Sequence, residues 1–242
     1  MKLPDHLFLS EGPGPGDAHA FDAEEARHAA KALRLRVGDR LRWTDGRGGR
    51  FAGRLTDLAR DGMTATAEHH RTDAPPVPLV LAVGVLHDAT RLEWLCEKAT
   101  ELGATEIRLV ETARVQRSRY RMARLEAKVR GALKQSDRSY LPAIVPLPLK
   151  TCIDAAPAGL RVVAHCYRDL ERLDLRTYLQ EHQATAGAAG IGPATMLIGP
   201  EGDFTREEVA RVTAAGFAAV SLGEARLRTE TAALKALSLI AP

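Results

Sequence analysis

Two glycine-containing loops near the C-terminus carry the residues best suited to chemistry. The first is Gly199-Pro200-Glu201-Gly202, and the second runs from Gly223 to Thr231 and contains Arg-Leu-Arg-Thr-Glu-Thr. Each loop follows a short apolar strand, predicted at Ala194–Ile198 and Ala218–Leu222, and each leads into a helix. Strand, glycine turn and helix, repeated twice, build a ligand pocket at the carboxyl edge of a parallel sheet. Because glycine leaves the backbone bare, its N–H and C=O groups can hydrogen-bond to the edge of a heterocycle.

Each loop also has a purely structural interpretation. Gly-Pro-Glu-Gly can be a tight turn before a helix, and the charged second loop can be the N-capped start of a surface helix. The helix after the first loop is predicted to begin with a capping box, in which Thr205 and Glu208 satisfy each other's backbone donors. For either loop alone the two interpretations are balanced, whereas the pair at this spacing favours a binding site.

Taken together, the two loops resemble the signature of the RsmE-like family, whose members methylate N3 of a uridine in small-subunit ribosomal RNA. That family belongs to the SPOUT superfamily of knotted methyltransferases. The resemblance is closest over Met196–Leu237. It implies an α/β fold, in which a SPOUT-type knotted parallel-sheet domain follows a small PUA-like β-barrel domain. It also implies S-adenosyl-L-methionine as cofactor, 16S ribosomal RNA in the small subunit as substrate, and a homodimer; no metal is expected.

The resemblance further implies which residues form the site. Cofactor-binding residues are expected in both loops and at the ends of the preceding strands: Leu197, Ile198, Gly199, Glu201, Gly202, Ser221, Leu222, Gly223, Leu227, Arg228 and Thr229. Uridine N3 carries a proton, so catalysis requires a base or electrostatic stabilisation. Arg228 is the candidate for stabilising charge on the ring carbonyls. Glu230 or Glu201 is the candidate for accepting the proton or orienting Arg228, and Thr229 and Thr231 could equally be helix N-caps.

Length and composition set broader limits. A chain of 242 residues predicts one large or two modest domains. The formal net charge of +3 is small, and 45% hydrophobic residues are enough for a core. Three widely spaced cysteines predict neither a disulfide framework nor a zinc site. No signal peptide or membrane span is expected, so the predicted location is the cytoplasm.

The chain is predicted to contain two domains joined by a linker. Residues 1–72 have a helix pattern at Ala23–Leu35 and a hairpin signal at Asp45-Gly46. They resemble, more loosely than the C-terminal loops do, the PUA-like RNA-binding barrel of this family. Residues 73–78 contain three prolines and predict a stiff linker. In residues 79–242, strands alternate with helices, as in a parallel sheet covered on both faces; the resemblance makes this the SPOUT domain with a C-terminal trefoil knot.

Basic side chains cluster on two predicted helices. The candidates for RNA contact are Arg27, Lys31, Arg34, Arg117, Arg121, Arg124 and Arg138. A charge run is more often a solvated helix face. Between Arg114 and Arg138, however, acidic residues are scarce and like charges four residues apart repel each other. A polyanion would relieve that repulsion, so RNA contact is favoured there.

The chain departs from the family pattern at a few positions. Lys134 stands where an acidic residue is usual, Asp203 stands where a second glycine is usual, and Glu224-Ala225 replaces proline and arginine-like residues. These departures leave a rival hypothesis, a non-catalytic RNA-binding or ribosome-assembly protein that retains the scaffold. A methyltransferase of the same fold acting on another RNA is a third possibility. Residues 168–193 give little signal and are predicted to be a loop.

Overall fold

The computed structural model describes residues 6–10, 12–13, 17–115, 120–186 and 191–241. These residues divide into two compact units. The first comprises the chain up to Pro76 together with Arg130–Leu141, and the second comprises Val77–Val129 and the chain from Pro142 onwards. The predicted domain boundaries at 72 and 79 assigned Arg130–Leu141 to the second domain instead.

The first unit is built on a six-stranded sheet with the order β1-β4-β5-β6-β3-β2. Its strands are β1 (Leu7–Leu9), β2 (Gly12–Pro13), β3 (Ala18–Phe21), β4 (Arg40–Thr44), β5 (Gly49–Leu58) and β6 (Met63–Thr72). All neighbouring pairs are antiparallel except β1 and β4. Phe8, Leu41 and Trp43 are fully buried in its core. The predicted Asp45-Gly46 turn joins β4 to β5, and the Asp45 carboxylate accepts N–H bonds from Arg47 and Gly49.

A short helical segment lies in the first unit between β3 and β4. Helix α1 (Ala23–Arg27) is capped by Asp22 and continues as a π-helical segment (His28–Ala32). The predicted helix at Ala23–Leu35 is therefore too long, because the backbone turns into the left-handed region at Arg34 (φ 54°). The C-terminal part of helix α3 also belongs to this unit: the buried Leu133 packs with Leu7 and Leu9.

The second unit is a seven-stranded parallel sheet with the order β11-β13-β10-β12-β7-β8-β9. Its strands are β7 (Leu79–Gly84), β8 (Glu106–Glu111), β9 (Ala143–Pro148), β10 (Leu160–Ala164), β11 (Leu173–Asp174), β12 (Ala194–Ile198) and β13 (Ala218–Ser221). The helices are α2 (Ala89–Glu101), α3 (Met122–Gln135), α4 (Leu149–Asp154), α5 (Leu175–Ala186), α6 (Arg206–Ala214) and α7 (Thr229–Ile240). Every residue of β7 and β12 is buried, as expected for central strands covered by helices on both faces.

The prediction of a loop over residues 168–193 is wrong for much of that range. Residues 173–174 form β11, and Leu175–Ala186 is helix α5. The helix is stabilised because Leu175 and Leu179, one turn apart, are buried. Its start is marked by Asp174, whose carboxylate accepts the N–H of Thr177 at 3.1 Å. No helix in the described part of the chain is long and apolar enough to cross a membrane.

Candidate functional site

The structure brings the two glycine loops to one edge of the parallel sheet. Strand β10 lies between β12 and β13, and Ala164 near its end pairs with Ile198 on one side and Val220 on the other. Because all three strands run in the same direction, their carboxyl ends lie side by side. The two loops therefore flank the chain that leaves β10, which forms a third wall beside them.

The first loop is fixed by Asp203. Its backbone lies in the left-handed region (φ 60°), which aspartate tolerates better than most residues. One carboxylate oxygen accepts the N–H of Cys166 at 2.7 Å, and the other accepts the N–H of Phe204 at 2.8 Å. The Cys166 bond ties the loop to the end of β10. Gly199 is required in this arrangement, because a Cβ there would lie 2.8 Å from the Asp203 carboxylate.

The segment after β10 contributes a buried histidine and an aromatic ring. Burial is the main reason that the pKa of His165 is lowered. The Tyr167 hydroxyl donates to the carbonyl oxygen of Phe204 at 2.8 Å, and the Arg206 guanidinium lies 4.7 Å from the Tyr167 ring centroid. This segment thus packs against the first loop.

The second loop is partly closed by its own hydrogen bonds. The Ser221 hydroxyl accepts the N–H of Gly223 at 3.2 Å, and the Lys235 ammonium donates to the Leu222 carbonyl at 2.7 Å. The Gly223 N–H and the Leu222 carbonyl oxygen thus already have hydrogen-bond partners. Both groups were expected to bind a heterocycle, and the carbonyl oxygen can still accept a second hydrogen bond. Gly223 has a φ of 111°, and the side chains of Leu222 and Leu227 are half-buried. Apolar side chains beside bare backbone fit an adenine ring.

The start of α7 does not follow the alternative in which Thr229 or Thr231 caps the helix. Arg228, not a threonine, occupies the N-cap position, and it makes no side-chain capping bond; Thr229 is the first helical residue and is buried. The Arg228 side chain is exposed at the loop. Its guanidinium is therefore available to a ligand rather than used to start the helix.

Glu230, in the first turn of α7, is a buried carboxylate with few interactions to offset its loss of hydration. It is only 7% exposed, and its Oε1 lies 3.8 Å from the Nε of Arg91. Its Oε2 is buried without a hydrogen-bond partner among the described residues. The ion pair of Glu230 is thus with Arg91 of α2, where the sequence had suggested that Glu230 could orient Arg228.

Glu201 faces a pocket that the sequence did not predict. The pocket has a volume of about 410 Å³ and is lined by His87, Asp88, Arg91, Arg114, Glu201 and Gly202. Glu201 is exposed, and its Oε1 accepts the backbone N–H of His87 at 3.0 Å. Arg114 donates to the carbonyl oxygens of Gly202 and Phe204 at 3.0 and 3.3 Å. The signal missed in the sequence is a third strand–loop–helix unit, in which Asp88 caps α2 after the short loop that follows β7.

The basic residues predicted to contact RNA differ in exposure and in the unit to which they belong. In the first unit, the side chains of Arg27, Lys31 and Arg34 are exposed. Arg138 is half-buried, and burial lowers its pKa. Arg121, in the second unit, is exposed directly before α3. Arg117 lies outside the described residues.

The charge imbalance expected along α3 is partly offset by α2. The Arg124 guanidinium lies 3.5 Å from the Glu93 carboxylate, and the Lys128 ammonium lies 3.5 Å from that of Glu97. The acidic partners come from an earlier helix, so a count within residues 114–138 missed them. In the described ranges, no group of three or more His, Cys, Asp or Glu side chains is arranged to hold a metal ion.

Comparison with known proteins identifies the class. The family model described as RNA methyltransferase domain matches residues 73–241, and the one described as RNA methyltransferase PUA domain matches residues 21–68. A probable rRNA-methyltransferase from Porphyromonas gingivalis is similar in structure, with a TM-score of 0.83 and 33% identity over 97% of this chain and 96% of its own. The chain belongs to the RNA methyltransferase family, and the predicted fold class is confirmed apart from the knot.

Two further relatives narrow the assignment. The Ribosomal RNA small subunit methyltransferase E of Mycobacterium bovis is 32% identical over 97% of this chain and 90% of its own length. The structure of the Neisseria gonorrhoeae protein of the same name, bound to S-adenosyl methionine, has a TM-score of 0.77 and 27% identity over 96% of this chain and 95% of its own. Within the class, the chain belongs to the ribosomal RNA small subunit methyltransferase E family, as its loop motifs suggested.

Proposed function

We propose that this protein methylates N3 of a uridine in small-subunit (16S) ribosomal RNA, with S-adenosylmethionine as the methyl donor. The observation that carries the proposal is the meeting of both glycine loops at one edge of the parallel sheet, with the exposed guanidinium of Arg228 on the second loop. The family relationship supports the substrate class, because relatives are named for small-subunit ribosomal RNA. The rival scaffold hypothesis lacks a matching observation, since both loops are intact.

The two loops would hold the cofactor. Leu197, Ile198 and Gly199 lead into one wall, with Glu201 and Gly202 at its tip; Ser221, Leu222, Gly223 and Leu227 form the other. Half-buried leucines would enclose an adenine, and glycine backbone would approach it closely. When bound, S-adenosylmethionine supplies a methyl carbon already activated by its sulfonium, so the main task of the protein is to position the two reactants.

The remaining task is to remove the proton of uridine N3. Glu201 is the better candidate base, because it is exposed at the pocket, whereas Glu230 is buried and faces Arg91. The N3 proton would pass to the Glu201 carboxylate, and the N3 electron pair would form the new bond to the methyl carbon. The bond from that carbon to sulfur would break, and its electron pair would stay with the departing S-adenosylhomocysteine. Negative charge that builds on the two ring carbonyls would be stabilised by Arg228. Since N3 is hidden in a base pair, the target uridine must be unpaired or extruded.

The larger assembly is also part of the proposal. Residues 1–72 would act as a PUA-like RNA-binding domain, residues 73–78 as a linker and residues 79–242 as the catalytic domain with a C-terminal trefoil knot. The exposed Arg27, Lys31, Arg34, Arg121 and Arg124 would contact RNA phosphates. The protein would act as a homodimer in the cytoplasm, where its ribosomal substrate is found.

The test uses labelled S-adenosylmethionine and small ribosomal subunits from cells that lack this protein, followed by nucleoside analysis. We expect label in 3-methyluridine, and a fall of roughly 100-fold in rate for Arg228→Ala. Arg211→Ala removes an exposed arginine of α6 and should leave the rate unchanged. Label in another nucleoside would refute the uridine assignment, and cofactor binding without any product would refute the ribosomal substrate. Failure to bind cofactor at all would favour the scaffold hypothesis.

A further inference from the structure

A polar pocket lies next to the proposed cofactor loops, at the carboxyl ends of a different set of strands. Its walls come from the chain after β7, the chain after β8 and the tip of the first glycine loop after β12. The proposed cofactor loops instead flank β10. Glu201 and Gly202 belong to both places, so a ligand in the pocket would lie against the cofactor loop. A volume of about 410 Å³ is within the range of small-molecule sites.

The ion pairs of Arg91 in this pocket leave N–H donors that a ligand could use. Its Nε lies 3.6 Å from an oxygen of Asp88 and 3.8 Å from an oxygen of Glu230, and both separations are too long for hydrogen bonds. Its side chain is 39% exposed. A guanidinium carries five N–H donors in a planar fork that matches two oxygens of a phosphate. Arg114, in contrast, already donates to two carbonyl oxygens of the first loop.

Glu201 provides an acceptor in the same pocket. Its position is fixed because the His87 backbone N–H donates to its Oε1. An ionised carboxylate has about four lone-pair sites, so this single bond leaves acceptor capacity. The Watson–Crick edge of uracil carries one N–H donor, at N3, between two carbonyl acceptors. A carboxylate is therefore complementary to N3–H and unsuited to the unprotonated N3 of cytosine.

We propose that this pocket takes the target nucleotide of the RNA, with Arg91 binding its phosphate and Glu201 receiving its N3–H. This inference rests on the proposed function, whose substrate it places within the fold. It gives the ion pair of Arg91 and Glu230 a role: the buried Glu230, at the start of α7, holds the Arg91 guanidinium near the pocket without saturating its donors. A nucleotide bound there would place its base beside the shared Glu201–Gly202 loop.

The test measures RNA and cofactor binding separately, without requiring turnover. The RNA probe is a short, fluorescently labelled, uridine-containing single strand, titrated by anisotropy with S-adenosylhomocysteine present. Cofactor affinity is measured by calorimetry with S-adenosylmethionine alone. Arg91→Gln should raise the RNA Kd roughly tenfold, because a charge-assisted phosphate contact is lost, and should leave the cofactor Kd unchanged. Arg91→Lys should restore part of the RNA affinity, since the charge remains but the fork does not.

Two controls make the result decisive. Lys150→Gln removes an exposed cation of α4 with no part in the pocket, so it should not change either Kd. His87→Ala changes the pocket wall but keeps the backbone N–H that holds Glu201. Thermal unfolding checks that Arg91→Gln is folded. If it is not folded, His87→Ala replaces it as the test variant, and we expect it to weaken RNA binding. An unchanged RNA Kd in the folded pocket variant, or a loss confined to the cofactor, would overturn the proposal. Absence of a methylated product with the wild-type protein would count against the proposed function and not against the pocket.

Discussion

At the scale of single residues, Asp203 shows how a departure from the family pattern is accommodated. Its φ of 60° is one that glycine would adopt without strain, and aspartate adopts it at a modest cost. In return, its carboxylate accepts two backbone N–H groups, one of which belongs to Cys166 after β10. The turn is therefore kept, and it gains a link between two walls of the proposed cofactor site.

Replacing Asp203 by glycine, the residue usual in the family, tests that link. We expect Asp203→Gly to weaken cofactor binding several-fold, because the loop would lose its bond to the β10 end while the backbone becomes more flexible. Calorimetric titration with S-adenosylmethionine gives the affinity, and urea unfolding checks that the fold persists. Asp203→Asn keeps one carbonyl acceptor and should lie between the two. Cofactor affinity in Asp203→Gly equal to that of the wild type would contradict this role.

His6 should make the stability of the first unit depend on pH. Its pKa is lowered from 6.5 to about 4, mainly by burial and in addition by the nearby side chains of His28, Lys134 and Arg42. The unfolded chain therefore binds a proton at higher pH than the folded one, so the stabilising contribution is present above about pH 6.5 and is lost as the pH falls towards 4. Urea unfolding of wild type and His6→Gln across this range should show a steeper loss for the wild type. Parallel profiles would exclude the histidine as the cause.

At the scale of secondary-structure elements, α1 and α3 are joined by a buried ion pair. The Lys134 ammonium contacts the carboxylate of Glu25, which is only 4% exposed. Lys134 was noted in the sequence only as a residue standing where the family has an acid. Its partner lies more than a hundred residues earlier, and no local pattern could reveal the pair. The departure is thus explained by a contact that anchors the end of α3 within the first unit.

Removing Lys134 should be costly, and the cost should depend on pH. Lys134→Met leaves the Glu25 carboxylate buried without its partner, which typically lowers the free energy of unfolding by about 3 kcal/mol. Burial already raises the pKa of Glu25, and Lys134 opposes that shift. Without the lysine the folded-state pKa rises further, so the deficit should shrink as the pH falls and the carboxyl takes up its proton. Denaturant unfolding at neutral and acidic pH measures the difference. The double variant Lys134→Met/Glu25→Leu should recover stability at neutral pH, and a deficit that persists there would rule out the unpaired carboxylate.

The sequence revealed those elements whose signals are local. Thr205 and Glu208 form the capping box predicted for α6, and the glycine loops follow β12 and β13 as expected. The pocket around Arg91 and Arg114 was missed, because its walls meet only through the strand order β12-β7-β8. Parallel strands pair across long stretches of chain, so no short motif records which loops become neighbours.

At the scale of the whole molecule, the charge is nearly balanced while its distribution is uneven. Thirty-four Lys and Arg residues oppose 31 Asp and Glu residues. One of the cations expected to bind RNA, Arg124, is exposed but also pairs with Glu93. RNA affinity should therefore depend on a few exposed cations and not on the overall charge. Arg27 and Lys31, exposed on the helical segment of the first unit, are the best candidates there.

The salt dependence of RNA binding measures that contribution. Each phosphate contact releases counterions, and for single strands the slope of log Kobs against log salt is about −0.7 per contact. The double variant Arg27→Gln/Lys31→Gln should therefore weaken binding and flatten the slope by roughly 1.4, because two contacts are lost. Arg60→Gln/Arg176→Gln removes the same charge from two other exposed positions and should leave the slope unchanged. Equal slopes for both double variants and the wild type would place the RNA elsewhere. Equal flattening in both would mean that the overall charge, and not this helical segment, attracts the RNA.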